Sequence, residues 1–207
     1  MRPCERFLQE RGGCLSEIGF IPDPGRPEQT CETIVFYHYT RHDRIDTILA
    51  PSSGLHARRP VDCPNLPVEF HNMYMVEGFL EPLPRWLKSS PYFGDIGMKE
   101  TRKHVGDMLL RIELSKKDFA NVYVVDYAHP LDCQFGTREC AGLALGYQNP
   151  AESYQGYVNS YISAQEYRGG HVAPVVHVLR KGQGIAVSEQ HICVSSVQPL
   201  QGNQEIG

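Results

Sequence analysis

The sequence predicts an α+β domain built on a mixed or antiparallel sheet. Its segments run strand, helix, long loop, short helix and then mainly strands, which is not the alternation of a doubly wound parallel sheet. The chain has 207 residues, 41% of them hydrophobic, enough for one substantial core. It also shows no internal repeat, low-complexity tract or long linker. These features predict a helix-and-loop extension over 1–32, one core domain over 33–200 and a tail over 201–207.

The elements follow in order. A short helix is expected over 4–11, ended by "GG" at 12–13 and the turn-rich "PDPGRP" at 22–27. The stretch "TIVFYHY" at 33–39 is β-branched and aromatic, the composition of a strand. Thr40 and Asp43 resemble a variant capping box opening a helix whose face is Ile45, Ile48 and Leu49 and which "APSSG" stops. Prolines at 60, 64, 67, 82, 84 and 91 predict irregular, loop-rich structure over 57–90, where sites tend to lie. A short helix is expected over 98–105. "DMLLRIEL" at 107–114 and "NVYVVDY" at 121–127 read as strands on either side of "SKKDFA". "PVVHVL" at 174–179 and "HICVSSV" at 191–197 complete the strands, with "RKGQG" as the turn between them.

The bulk chemistry narrows the function classes. Seven cysteines without a C-x-x-C pair fit reduced thiols in a reducing compartment better than a disulfide framework. No membrane-spanning apolar run is present, and the N-terminus is charged where a secretory signal would be apolar. A cytoplasmic protein is therefore expected, or one delivered into a target cell's cytoplasm by a signal-less route, with no membrane partner. A net charge of -4 argues against a broadly basic nucleic-acid-binding surface. "HARRP" at 56–60, with Arg41 and Arg44, is nevertheless a candidate local basic patch.

Three distant segments carry the chemistry: "FYHYT" at 36–40, "SPYFGD" at 90–95 and "SAQEYRGG" at 163–170. In that order they resemble the ADP-ribosyltransferase superfamily, specifically its His-Tyr-Glu branch. The stretch "FYHYTRHDRIDTIL" is also similar to the start of bacterial toxin-type transferases, some of which modify DNA. The resemblance implies a split sheet of mixed or antiparallel strands with short flanking helices. It implies NAD as substrate, no metal, and transfer of ADP-ribose to an unidentified protein or nucleic-acid acceptor, in a toxin or effector setting. Carried over by residue, His38 would hydrogen-bond the adenosine ribose of NAD, with Thr40 supporting the same edge. Tyr39, standing where the family has glycine, would meet the nicotinamide amide through its backbone alone, its side chain pointing out of the pocket. Tyr92 would stack on the nicotinamide ring, a contact of roughly 0.5 to 2 kcal/mol for a cationic ring. Glu166 would hold the nicotinamide ribose and steady its developing positive charge.

The chemistry agrees with that residue set. A cationic nicotinamide departs neutral and needs little acid catalysis, so a site must chiefly position the dinucleotide and stabilise positive charge on the ribose. Other readings stand beside it. Glu189 and Glu139 are alternative acids. His38 and His42 are a possible zinc pair, but the spacing crosses a strand-to-helix junction and lacks a third ligand nearby. Cys63 and Cys133 lack an activating context for a nucleophile. Trp86 reads as a structural anchor. The rival functions are an NAD glycohydrolase, a non-catalytic NAD-binding module, and an interaction protein with no small-molecule site.

Overall fold

The computed structural model describes residues 33–61, 66–84, 86–87, 97–129 and 150–196. Tyr92, Glu139, Cys63 and Cys133 lie outside these. The described chain is α+β, and every strand pairing in it is antiparallel. In chain order the strands are β1 (Thr33–Thr40), β2 (Gly54–Ala57), β3 (Arg59–Pro60), β4 (Met73–Gly78), β5 (Met108–Ser115), β6 (Val122–Asp126), β7 (Ile162–Ser163), β8 (Pro174–Lys181), β9 (Gly184–Ser188) and β10 (Ile192–Ser196). They form a three-stranded sheet β1-β5-β10, a five-stranded sheet β3-β4-β8-β6-β7 and the pair β2-β9. The helices are α1 (Ile45–Ile48), α2 (Gly97–Val105) and α3 (Pro150–Asn159). No helix among the described residues is long and apolar enough to cross a membrane.

Strand periodicity explains the core. Ile34 and Phe36 of β1, Leu110 and Ile112 of β5, Ile192 and Val194 of β10, Val122 and Val124 of β6, and Val176 and Val178 of β8 face one another in a single cluster. Each such side chain, removed from water, contributes about 1.5 to 3 kcal/mol before entropy is charged against it. The opposite face of the larger sheet is covered too: Val125 and Val175 pack with Tyr157 and Val158 of α3. β8 is thus buried on both faces, which is why "PVVHVL" is a continuous run and not an alternating one. Asp126 fastens the end of this layer, accepting the backbone N–H groups of Ala128, Val172 and Ala173 at 2.9–3.0 Å.

Several elements differ from the sequence expectation. The region 57–90 contains β4, an interior strand of the five-stranded sheet, as well as β3. Prolines flank β4 without entering it, so its ladder is complete. β2, β9 and α3 are likewise outside the sequence expectation, and "RKGQG" leads from β8 into β9, which pairs with β2 in a separate sheet, instead of running on to β10. The capping box is absent. Thr40 ends β1, a 3-10 turn (His42–Arg44) precedes α1, and Asp43 pairs with Arg41 at 2.7 Å.

Among the described residues the two larger sheets meet at one backbone junction. Tyr37 and Phe79 exchange reciprocal hydrogen bonds of 2.9 and 2.7 Å, N–H to carbonyl each way. Gly78 permits this approach: a Cβ there would stand 2.6 Å from both the Tyr37 carbonyl oxygen and the Phe36 ring. Beyond the junction no further backbone pair joins β1 to β4 among the described residues, and residues of both strands line the site.

Candidate functional site

The cleft between β1 and β4 is a cavity of about 410 Å³, in the size range of small-molecule sites. From β1 it is lined by His38 and Thr40, from β4 by Met75, Val76 and Glu77. Arg44, Thr47 and Ile48 contribute from the first helical segment, and Gly54 to Arg59 contribute Leu55, His56, Arg58 and Arg59. Alternation along β1 selects the lining: His38 and Thr40 face the cavity, whereas Tyr39 points away. Tyr39 packs with Val35, Tyr37, Leu87 and Leu109 and donates its hydroxyl to the Pro82 carbonyl at 2.5 Å. Burial pushes that phenol up to about 12.

His38 is set by its neighbour strand. Its Nδ1 lies 2.6 Å from the Glu77 backbone carbonyl, which can only accept, so Nδ1 carries the proton. Burial pulls the imidazole below its ordinary value, and the Glu77 hydrogen bond and charge oppose this without reversing it. The ring is therefore neutral near pH 7, with Nε2 as a hydrogen-bond acceptor suited to a hydroxyl. Protonation then favours the unfolded chain, because the folded ring holds its proton more weakly. The stability this contributes is whole above the ordinary histidine value and is lost as pH falls below it toward the folded value. Thermal unfolding followed from neutral to mildly acid pH should thus fall more steeply in wild type than in His38→Gln. Equal slopes would remove His38 as the titrating group.

Glu77 is the carboxylate of the cavity. Its Oε2 accepts from Arg59 at 2.6 Å, and its Oε1 lies 3.5 Å from Nε2 of the buried His177. At that length the second contact is not a formed hydrogen bond, and Oε1 is buried without a hydrogen-bond partner among the described residues. Burial raises the carboxyl, but His177 and Arg59 together outweigh it and hold the group below the usual carboxylate range. Around this one carboxylate stand three guanidinium groups, of Arg44, Arg58 and Arg59. Arg44 and Arg58 have no acidic partner among the described residues, so the cavity is cationic although the chain is not.

The structure thus gathers His38, Thr40 and the "HARRP" patch with Arg44 into one place, while Arg41 faces Asp43 outside it. Glu166 is elsewhere: it is exposed in the turn after β7, its N–H bonded to the Ser163 carbonyl, and does not line the cavity. Glu189 accepts weakly from the Ser52 N–H at 3.4 Å and does not line the cavity. Trp86 packs on Phe79 beside the sheet junction, with its indole N–H buried and unpartnered among the described residues. His42 sits on the 3-10 turn, and no group of three His, Cys, Asp or Glu among the described residues is placed to hold a metal. Cys193, the one cysteine described, lies on β10.

Sequence reasoning missed Glu77 and His177. The signal was present in each case as a lone ionisable residue inside an apolar run, "MYMVEGF" and "PVVHVL". If His38 holds a ligand hydroxyl, His38→Ala should weaken NAD binding about tenfold, the worth of one hydrogen bond, with little change in melting temperature. Calorimetric titration and a thermal melt check this together, and lost stability with unchanged affinity would make the histidine structural. Compared with protein-family models, curated proteins and solved structures, the chain matches none, so the reading of this cavity rests on its own residues.

Proposed function

We propose that the chain is an NAD-dependent ADP-ribosyltransferase with an ADP-ribosyltransferase-like split sheet, acting on a protein or nucleic-acid acceptor as a toxin or effector. One observation carries the reading: His38, Thr40 and a carboxylate line a single cleft, together with three arginines. The neutral imidazole and Thr40 suit a ribose edge. Arg44 and Arg58 suit a pyrophosphate, which guanidinium groups bind through paired hydrogen bonds. In this reading Glu77, and not Glu166, is the carboxylate that holds the second ribose.

The chemistry asked of these groups is modest. The ribose–nicotinamide C–N bond breaks and its electron pair leaves with nicotinamide, which departs neutral. The acceptor's nucleophile bonds the same ribose carbon and gives up its proton. Positive charge grows on the ribose in between, and a fixed carboxylate at that point stabilises it far more than water would. Tyr92 keeps its proposed role as the ring beneath nicotinamide.

Incubating the protein with NAD labelled in its adenylate half, with and without cell lysate, tests the reading. Nicotinamide release with label retained on lysate macromolecules is expected. Loss of that label to protease or to nuclease then identifies the acceptor class. Release without retained label would make water the acceptor and the protein a glycohydrolase. No release and no NAD binding would end the proposal.

A further inference from the structure

Behind the cavity lies a buried polar group that ligand binding does not require. His177 is fully buried at the centre of β8, paired across the strand with Glu77. Three tyrosines present ring edges to it, Tyr127 and Tyr161 at 5.6 Å and Tyr157 at 6.3 Å between centroids. The Tyr161 hydroxyl meets Nδ1 at 2.9 Å, the Tyr127 hydroxyl meets Nε2 at 3.2 Å, and Tyr157 and Tyr161 join hydroxyls at 3.3 Å. A carboxylate can only accept, so Nε2, which stands 3.5 Å from Oε1, is the His177 atom that would donate to Glu77 once the contact shortens. A core that needed only volume here would be served as well by leucine or phenylalanine, without the cost of burying an imidazole.

We infer that His177 is a positioning residue, which fixes the Glu77 carboxylate from behind so that it faces the cavity as an anion, while Tyr127 and Tyr161 fix the imidazole. This rests on the proposed reading of the cavity. His177 itself reaches no ligand; it acts through Glu77. The carboxylate is gripped on two sides, by exposed Arg59 from β3 and by buried His177 from β8. The other titratable or charged groups around it are His38 of β1, whose ring bonds the Glu77 carbonyl, Arg44, Arg58 and His56 of the cavity wall, and Tyr127 and Tyr161 behind His177. His177 is the buried group that stands against Oε1, at 3.5 Å.

His177→Phe keeps a flat ring and removes the donor, whereas His177→Gln keeps a donor near the Nε2 position. Two readouts separate positioning from mere packing: the pH profile of nicotinamide release over about pH 4 to 9, and a carbon-13 titration of the Glu77 carboxyl. In His177→Phe the carboxyl should titrate at higher pH than in wild type, and the acid limb of kcat/KM should move the same way. At neutral pH kcat should fall on the order of a hundredfold, the cost of a misplaced reacting group, with KM for NAD nearly unchanged. His177→Gln should recover part of that rate. A folded Phe variant with unmoved titration and acid limb overturns the inference. Should the Phe variant not fold, the Gln variant decides: its acid limb must lie above wild type's, and an unmoved limb is equally fatal. Wild-type NAD binding is the separate control. If it is absent the proposed function falls, while the carboxyl titration, which needs no substrate, still decides whether His177 governs Glu77.

Discussion

Glu77→Gln should abolish nicotinamide release while leaving NAD affinity nearly intact. The amide keeps the side chain's size and can still accept from Arg59, so the cavity wall stays in place. What it loses is negative charge beside the ribose. That charge matters only as the C–N bond breaks, so its removal appears in kcat and not in binding. Loss of one preorganised electrostatic partner typically costs about a hundredfold or more, ~2.7 kcal/mol. Single-turnover release measured beside calorimetric NAD titration checks both halves. A variant that keeps more than about a tenth of the rate, ~1.4 kcal/mol, would move the catalytic carboxylate elsewhere, with Glu166→Gln the next substitution to make.

A large loss of stability is expected from Gly106→Ala. Gly106 follows α2, where its N–H bonds the Arg102 carbonyl at 2.8 Å, and its φ of 111° lies where side-chain-bearing residues are strained. A Cβ there would drive into the Thr40 carbonyl and the Arg41 nitrogen, the last peptide of β1. Strain and displacement together should cost about 3 kcal/mol, or roughly 6 to 12 °C in melting temperature for a domain of this size. Because the displaced peptide carries Thr40, NAD affinity should fall as well. A melting shift under about 2 °C would mean that the turn relaxes freely and that Thr40 is not held from this side.

How much of this was legible in the sequence depends on where each strand's burial comes from. β1, β5, β6, β8 and β10 announce themselves because their β-branched and apolar side chains fill the shared core. β4 is as central but carries Glu77 and two methionines between proline-rich flanks, so local composition spoke for loop while cross-strand pairing with β8 decided for strand. α3 shows only Tyr157 and Val158 as a buried apolar pair, too narrow a stripe to predict from periodicity. At the site, His38 and Thr40 could be read through the resemblance of "FYHYT", and their spacing of two on one strand puts both on the cavity face. The partnership of Glu77 with His177 could not, since it spans a hundred residues and exists only through register.

The junction of Tyr37 with Phe79 has a mechanical consequence. Among the described residues it is the one backbone pair that ties β1 to β4, and past it the main chain of β1 has β5 alone as a ladder partner. A molecule lodged in the cleft would act as a wedge with two adhesive faces, spanning a seam that the protein leaves open. Its arrival should slow amide hydrogen exchange on both strands at once, in residues that touch it and in neighbours that do not. At a hundredfold excess over Kd the gain is about 2.7 kcal/mol. Exchange mass spectrometry would then map the seam's closure without any turnover taking place.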